Sequence, residues 1–141
     1  MSTTTAQLLD AYPRDLGRID RRNLEACIAA CVECAQACTA CADACLSEKM
    51  VSDLAKCIRT NLDCADVCEA TGRVLSRHTG YDAHLTRAVL EACMQACQSC
   101  GDTCAAHASM HEHCRITEEV CRTCEDACRR LIRTLGESAA P

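Results

Sequence analysis

Cysteines at 27, 31, 34, 38, 41 and 45 form the densest chemical feature of the chain, separated by steps of 4, 3, 4, 3 and 4. That alternation is the repeat of one core-facing helical stripe, with thiols standing where Leu or Ile is usual. Thiols bury less apolar surface than Leu or Ile, so a whole stripe of them asks for a chemical reason. The chain holds 17 cysteines in 141 residues. The others keep the same rhythm as Cys57, Cys64 and Cys68; Cys93, Cys97, Cys100 and Cys104; and Cys114, Cys121, Cys124 and Cys128. All fall on four helical seams, with none left over.

Other donors stand beside them. His107 and His111 extend the third cysteine series by steps of 3 and 4, and His113 adjoins Cys114. Neutral imidazole is a metal ligand, so all three are candidates. Met50 stands at the start of the second seam as a candidate thioether ligand or packing residue. Asn61 interrupts that seam between Cys57 and Cys64, where its amide would bind an ion or fix helix register. For Thr117 in the fourth seam, a hydroxyl bonded to its own helix backbone is expected. His78 and His84 read as surface residues.

Thiols in this pattern serve several chemistries. Cβ atoms at i and i+4 on a helix stand about 5–6 Å apart, against about 3.5–4.5 Å in a disulfide. Intrahelical bridges are therefore strained, and an odd count leaves a thiol over. Zinc and iron–sulfur centres gather four ligands, often from C-x-x-C loops. Here the C-x-x-C pairs lie inside helical pattern, and C-x-x-x-C dominates. Cu(I) is soft, monovalent and content with two or three thiolates. Each Cu⁺ that displaces a thiol proton leaves the local charge unchanged, so many ions are tolerated where divalent ions would accumulate charge. The expectation is binding of multiple Cu(I) ions without catalysis. A zinc or other soft-metal store and a disulfide-forming, redox-responsive helical protein remain alternatives.

These seams need helices to carry them. The pattern predicts helices over about 22–46, 51–77, 82–110 and 113–135, the last closed by Gly136. A leading helical segment is broken at Pro13 and Gly17. Short connections make successive helices antiparallel, giving an all-α, up-down-up-down four-helix bundle as a single domain. Residues 1–21 form its N-terminal segment, 22–136 the bundle and 137–141 a polar tail. Leu24, Leu75, Leu90, Leu131 and Leu135 would then plug one end. Cys45, Met50, His107, His111, His113 and Cys114 would gather at the other, open end.

Composition narrows the classes further. A net charge of −5 speaks against nucleic-acid binding. No run reads as a membrane span and no leader is apparent, so a cytoplasmic, reducing location with free thiols is expected. The first bundle helix carries Glu33, Gln36, Thr39 and Asp43 on one stripe and much alanine elsewhere. That fits either high helix propensity or a subunit interface.

The repeated C-x-x-x-C seam, above all CIAACVECAQACTACADAC, resembles the cytosolic copper storage proteins, bacterial bundles with cysteine-lined cores. The resemblance covers all four bundle helices. It implies multinuclear Cu(I) storage, a homotetramer, and ion entry at a histidine-bearing end. The seam cysteines match the family's ligands, and His107, His111 and His113 its mouth. Copper ions, a copper chaperone or a copper enzyme are the partners such a role implies.

Overall fold

The computed structural model describes residues 3–138, so Met1, Ser2 and the expected tail from 139 to 141 lie outside the described residues. Among the described residues there are five α-helices and one 3-10 turn: α1 (Thr4–Ala11), α2 (Arg21–Leu46), the 3-10 turn (Val51–Leu54), α3 (Ala55–Leu75), α4 (Ala83–His107) and α5 (Glu112–Ser138). The expected all-helical architecture is present.

Each start has a local cause. Thr3, Asp20 and Asp82 accept the backbone N–H three residues on, from Ala6, Asn23 and Leu85, capping α1, α2 and α4. Gly17 and Gly80 take positive φ values of 78° and 63°, conformations that favour glycine, and they turn the chain into α2 and α4. The second expected helix begins as the 3-10 turn and becomes α-helical only at Ala55, with no side-chain cap at either start. Gly136 does not close the last helix, which runs on to Ser138.

The helices α2, α3, α4 and α5 pack as a ring, α2 touching α3 and α5, and α4 touching α3 and α5. Cys27 near the start of α2 meets Cys128 near the end of α5, and Cys57 early in α3 meets Cys104 late in α4. Cys34 of α2 meets Cys64 of α3. These pairings run neighbouring helices antiparallel. α1 lies against α2, with Leu9 buried and Arg21 paired to Asp10.

Leu24, Leu75, Leu90, Leu131 and Leu135 are all buried, in one core with the cysteines. Met50 is a correction: it is 63% exposed and lies off the seam. Helical register cannot be carried back to it, because the chain before Ala55 follows a different winding. α2 is a second correction, being long and apolar enough by composition to cross a membrane. Its cysteines count as apolar, yet they face the other bundle helices, so it reads as a core helix.

Candidate metal centre

All the cysteines are free, and each is at most 1% exposed. Their sulfurs form one column along the bundle axis, with neighbouring separations of 3.7–4.0 Å. Examples are Cys27–Cys128 at 3.7 Å, Cys34–Cys38 at 3.8 Å, Cys68–Cys93 at 3.7 Å and Cys31–Cys124 at 3.9 Å. A disulfide would bring the atoms to about 2.05 Å, so the column is in contact without being bonded. Both kinds of pair arise: i, i+4 on one helix (Cys34–Cys38, Cys64–Cys68) and across helices (Cys38–Cys100, Cys38–Cys121).

The sulfurs converge in fours. Cys31, Cys93, Cys124 and Cys128 place one donor atom each within 4.8 Å of one another. The same holds for Cys34, Cys68, Cys97 and Cys124, and for Cys34, Cys38, Cys64 and Cys121. Cys34 and Cys124 each belong to two groups. Separate tetrahedral zinc sites would each need their own four ligands; shared sulfurs suit ions bridged by common thiolates.

Between the deep groups and the open end stands Asn61, fully buried. Its Nδ2 donates to the Cys57 carbonyl at 2.9 Å and approaches the Cys57 sulfur at 3.4 Å. Its Oδ1 accepts from Cys100 at 3.2 Å. The amide is therefore tied to three elements of the seam at once: a backbone carbonyl and two sulfurs. Thr117 is also buried, and it helps to hold the Cys41 thiol down.

At the open end Cys41, Cys45, Cys114 and His113 form another group within 4.8 Å. His113 Nδ1 lies 3.3 Å from Cys41 and 3.7 Å from Cys114. Hydrogen bonds from Cys104 and Cys57, with smaller help from His113 and Thr117, hold Cys41 well below the usual thiol range. Burial pushes Cys45 up to about 12 and raises Cys114, the Cys41 sulfur adding to both. One mouth thiol is thus biased toward thiolate among neighbours that stay protonated. His107 places a buried Nδ1 here with no hydrogen-bond partner, an atom suited to an arriving ion. Donor chemistry and this orphaned nitrogen both fit a soft metal.

The structure brings His111 and His113 together, stacked with ring centroids 5.4 Å apart. His78 packs edge-on against Tyr12 at 5.1 Å, and His84 is exposed, so neither joins the column. Sequence reasoning missed Glu48. Its carboxylate Oε2 is 2.8 Å from His111 Nδ1 and 2.9 Å from His113 Nε2. The signal was present: Glu48 is the next step of 3 after Cys45. The Ser47 cap keeps helical backbone and Glu48 N–H still bonds back to Cys45, so the seam's rotation survives past Leu46.

The model of the copper storage protein family matches residues 20–133. A copper storage protein structure, Ccsp from Streptomyces lividans loaded with 10 copper equivalents, is 63% identical. It covers 93% of this chain and 99% of its own, with a TM-score of 0.92. A structure of a cytosolic copper storage protein from Streptomyces lividans with five coppers is 65% identical over 83% of this chain and 98% of its own, at a TM-score of 0.81. The cysteine-rich protein YhjQ of Bacillus subtilis (strain 168) is 34% identical over 107 residues, which is 76% of this chain and 94% of that protein.

Proposed function

The chain belongs to the copper storage protein family, and from that premise we propose that it sequesters and stores many Cu(I) ions in the cytosol. The observation that carries this reading is the sulfur column, with every thiol buried and free and the deep groups sharing members. The relatives of known structure point the same way, one being loaded with 10 copper equivalents and another being called cytosolic. The protein's role is containment, with no substrate turned over.

All the seam cysteines serve as ligands in this reading, and His107, His111 and His113 form the entrance. An ion arriving there meets Cys41, already biased toward thiolate, then Cys45, Cys57, Cys104 and Cys114, and passes inward. Where burial keeps a thiol protonated, as at Cys45 and Cys114, each Cu⁺ that displaces the proton leaves the local charge unchanged. A homotetramer is proposed from the family resemblance, and a copper chaperone or copper enzyme as source or recipient.

Anaerobic titration of reduced protein with Cu(I), against a chromogenic chelator, tests the function. Many ions per chain are expected, with all 17 thiols of the freshly purified protein titrating with a thiol reagent once it is unfolded in denaturant. Saturation at one or two ions would reject storage. Sedimentation analysis of the same sample reads the oligomeric state; a monomer would remove the tetramer and leave the storage reading in place.

A further inference from the structure

The donors at the mouth divide into two chemistries. Inside are sulfurs: Cys41, Cys45 and Cys114. Outside are a carboxylate and two imidazoles: Glu48, His111 and His113, whose donor atoms all lie within 4.8 Å of one another. His113 joins the sets, its Nδ1 turned toward Cys41 at 3.3 Å and its Nε2 toward Glu48 at 2.9 Å. A carboxylate oxygen is a poor partner for Cu(I), which selects soft thiolate and thioether donors. Two imidazoles and one carboxylate are instead a ligand set used by catalytic zinc, with a fourth position left open.

The geometry points to a second, separate metal site at the entrance: Glu48, His111 and His113 take one borderline divalent cation of the Zn²⁺ class. Such an ion holds nitrogen and oxygen at about 2.0–2.2 Å. Ligands around it stand on the order of 3.3 Å apart. The present contacts of 2.8 and 2.9 Å would open by about half an ångström as hydrogen bonds gave way to the ion. Little else must move. The rings of His111 and His113 are already stacked within 22° of parallel, and both present a nitrogen to the same Oε2.

Charge agrees with this assignment. The carboxylate offsets one unit of a divalent charge, and the partly exposed mouth, its side chains 17–32% accessible, lets water and counterions meet the other. In the deep sulfur column the same ion would find only cysteines and no carboxylate. The site also ties the turn after α2 to the start of α5, so a bound divalent ion would lie across the path proposed for Cu(I).

The inference leans on the storage reading only in its sample, protein loaded with Cu(I) short of its own measured saturation so that deep thiols are occupied. Co²⁺ is then titrated anaerobically and followed by absorption. One Co²⁺ per chain is expected, showing ligand-field bands without a thiolate-to-cobalt charge-transfer band. Glu48→Gln and Glu48→Ala should each weaken this binding by at least about tenfold, the scale for disturbing a metal site's supporting groups. No Co²⁺ bound, a thiolate charge-transfer band, or equal affinity in both variants would overturn the site. The Cu(I) stoichiometry is read on the same samples first. A chain that refuses Cu(I) fails the storage reading, whereas one that accepts Cu(I) and ignores Co²⁺ fails this inference alone.

Discussion

The Nδ1 atom of His107 is buried and has no hydrogen-bond partner among the described residues. An unsatisfied buried polar group costs about 1–3 kcal/mol, so this imidazole weakens the empty bundle. A histidine kept only for structure would be satisfied, as Asn61 is by a carbonyl and two thiols. The two roles give opposite results on substitution. His107→Leu should leave the metal-free protein as stable as before, or more stable by about 1 kcal/mol in urea unfolding. Uptake of Cu(I) in stopped-flow mixing should nevertheless slow, with little loss of final capacity. A variant that loads at the original rate would remove His107 from the entrance, and a destabilised one would make it structural.

Helices distribute these residues between two unlike ends. Leu90 and Leu131 are fully buried, Leu90 preceding and Leu131 following the cysteines of its helix, and neither side chain can bind an ion. Leu90→Ala should therefore cost about 2–5 kcal/mol, as other buried leucines do, while Cu(I) capacity per folded chain stays unchanged. A parallel loss of capacity would mean the plug shapes the ion column directly. Most of this arrangement was legible in the sequence because the 3–4 alternation persists through α2, α3, α4 and α5, and each seam cysteine followed from it. The failures cluster where a helix ends. Met50 was assigned by carrying α3's register across the 3-10 turn, where the winding changes. Glu48 went unnoticed for the opposite reason: it lies past the end of α2, yet Ser47 preserves the helical rotation long enough to aim it at the mouth. Gly136 signalled a stop that one glycine near a helix end does not enforce, since its cost of about 1 kcal/mol is borne by packing upstream.

For the whole molecule, a thiol-filled core ties stability to pH. Burial pushes Cys45 from an ordinary 9.0 up to about 12, and Cys114 is raised for the same reason. Their protonated forms are thus favoured by folding. Below pH 9 both folded and unfolded chains carry these protons, and the stability is fully present. Between about 9 and 12 the unfolded chain ionises first, so stability drains away as pH rises through that window. The metal-free, reduced protein should be helical by circular dichroism at neutral pH and lose melting temperature steadily above pH 9. The Cu(I)-loaded protein should respond differently. Its thiols have already surrendered their protons to the metal, and bound ions stabilise the fold by mass action. Loading should raise the melting temperature at neutral pH and flatten its alkaline decline. Equal declines in both forms would place the titrating groups outside the sulfur column. Coil at neutral pH before copper arrives would contradict a preformed core, and with it the idea that protonated cysteine packs this bundle as an apolar residue.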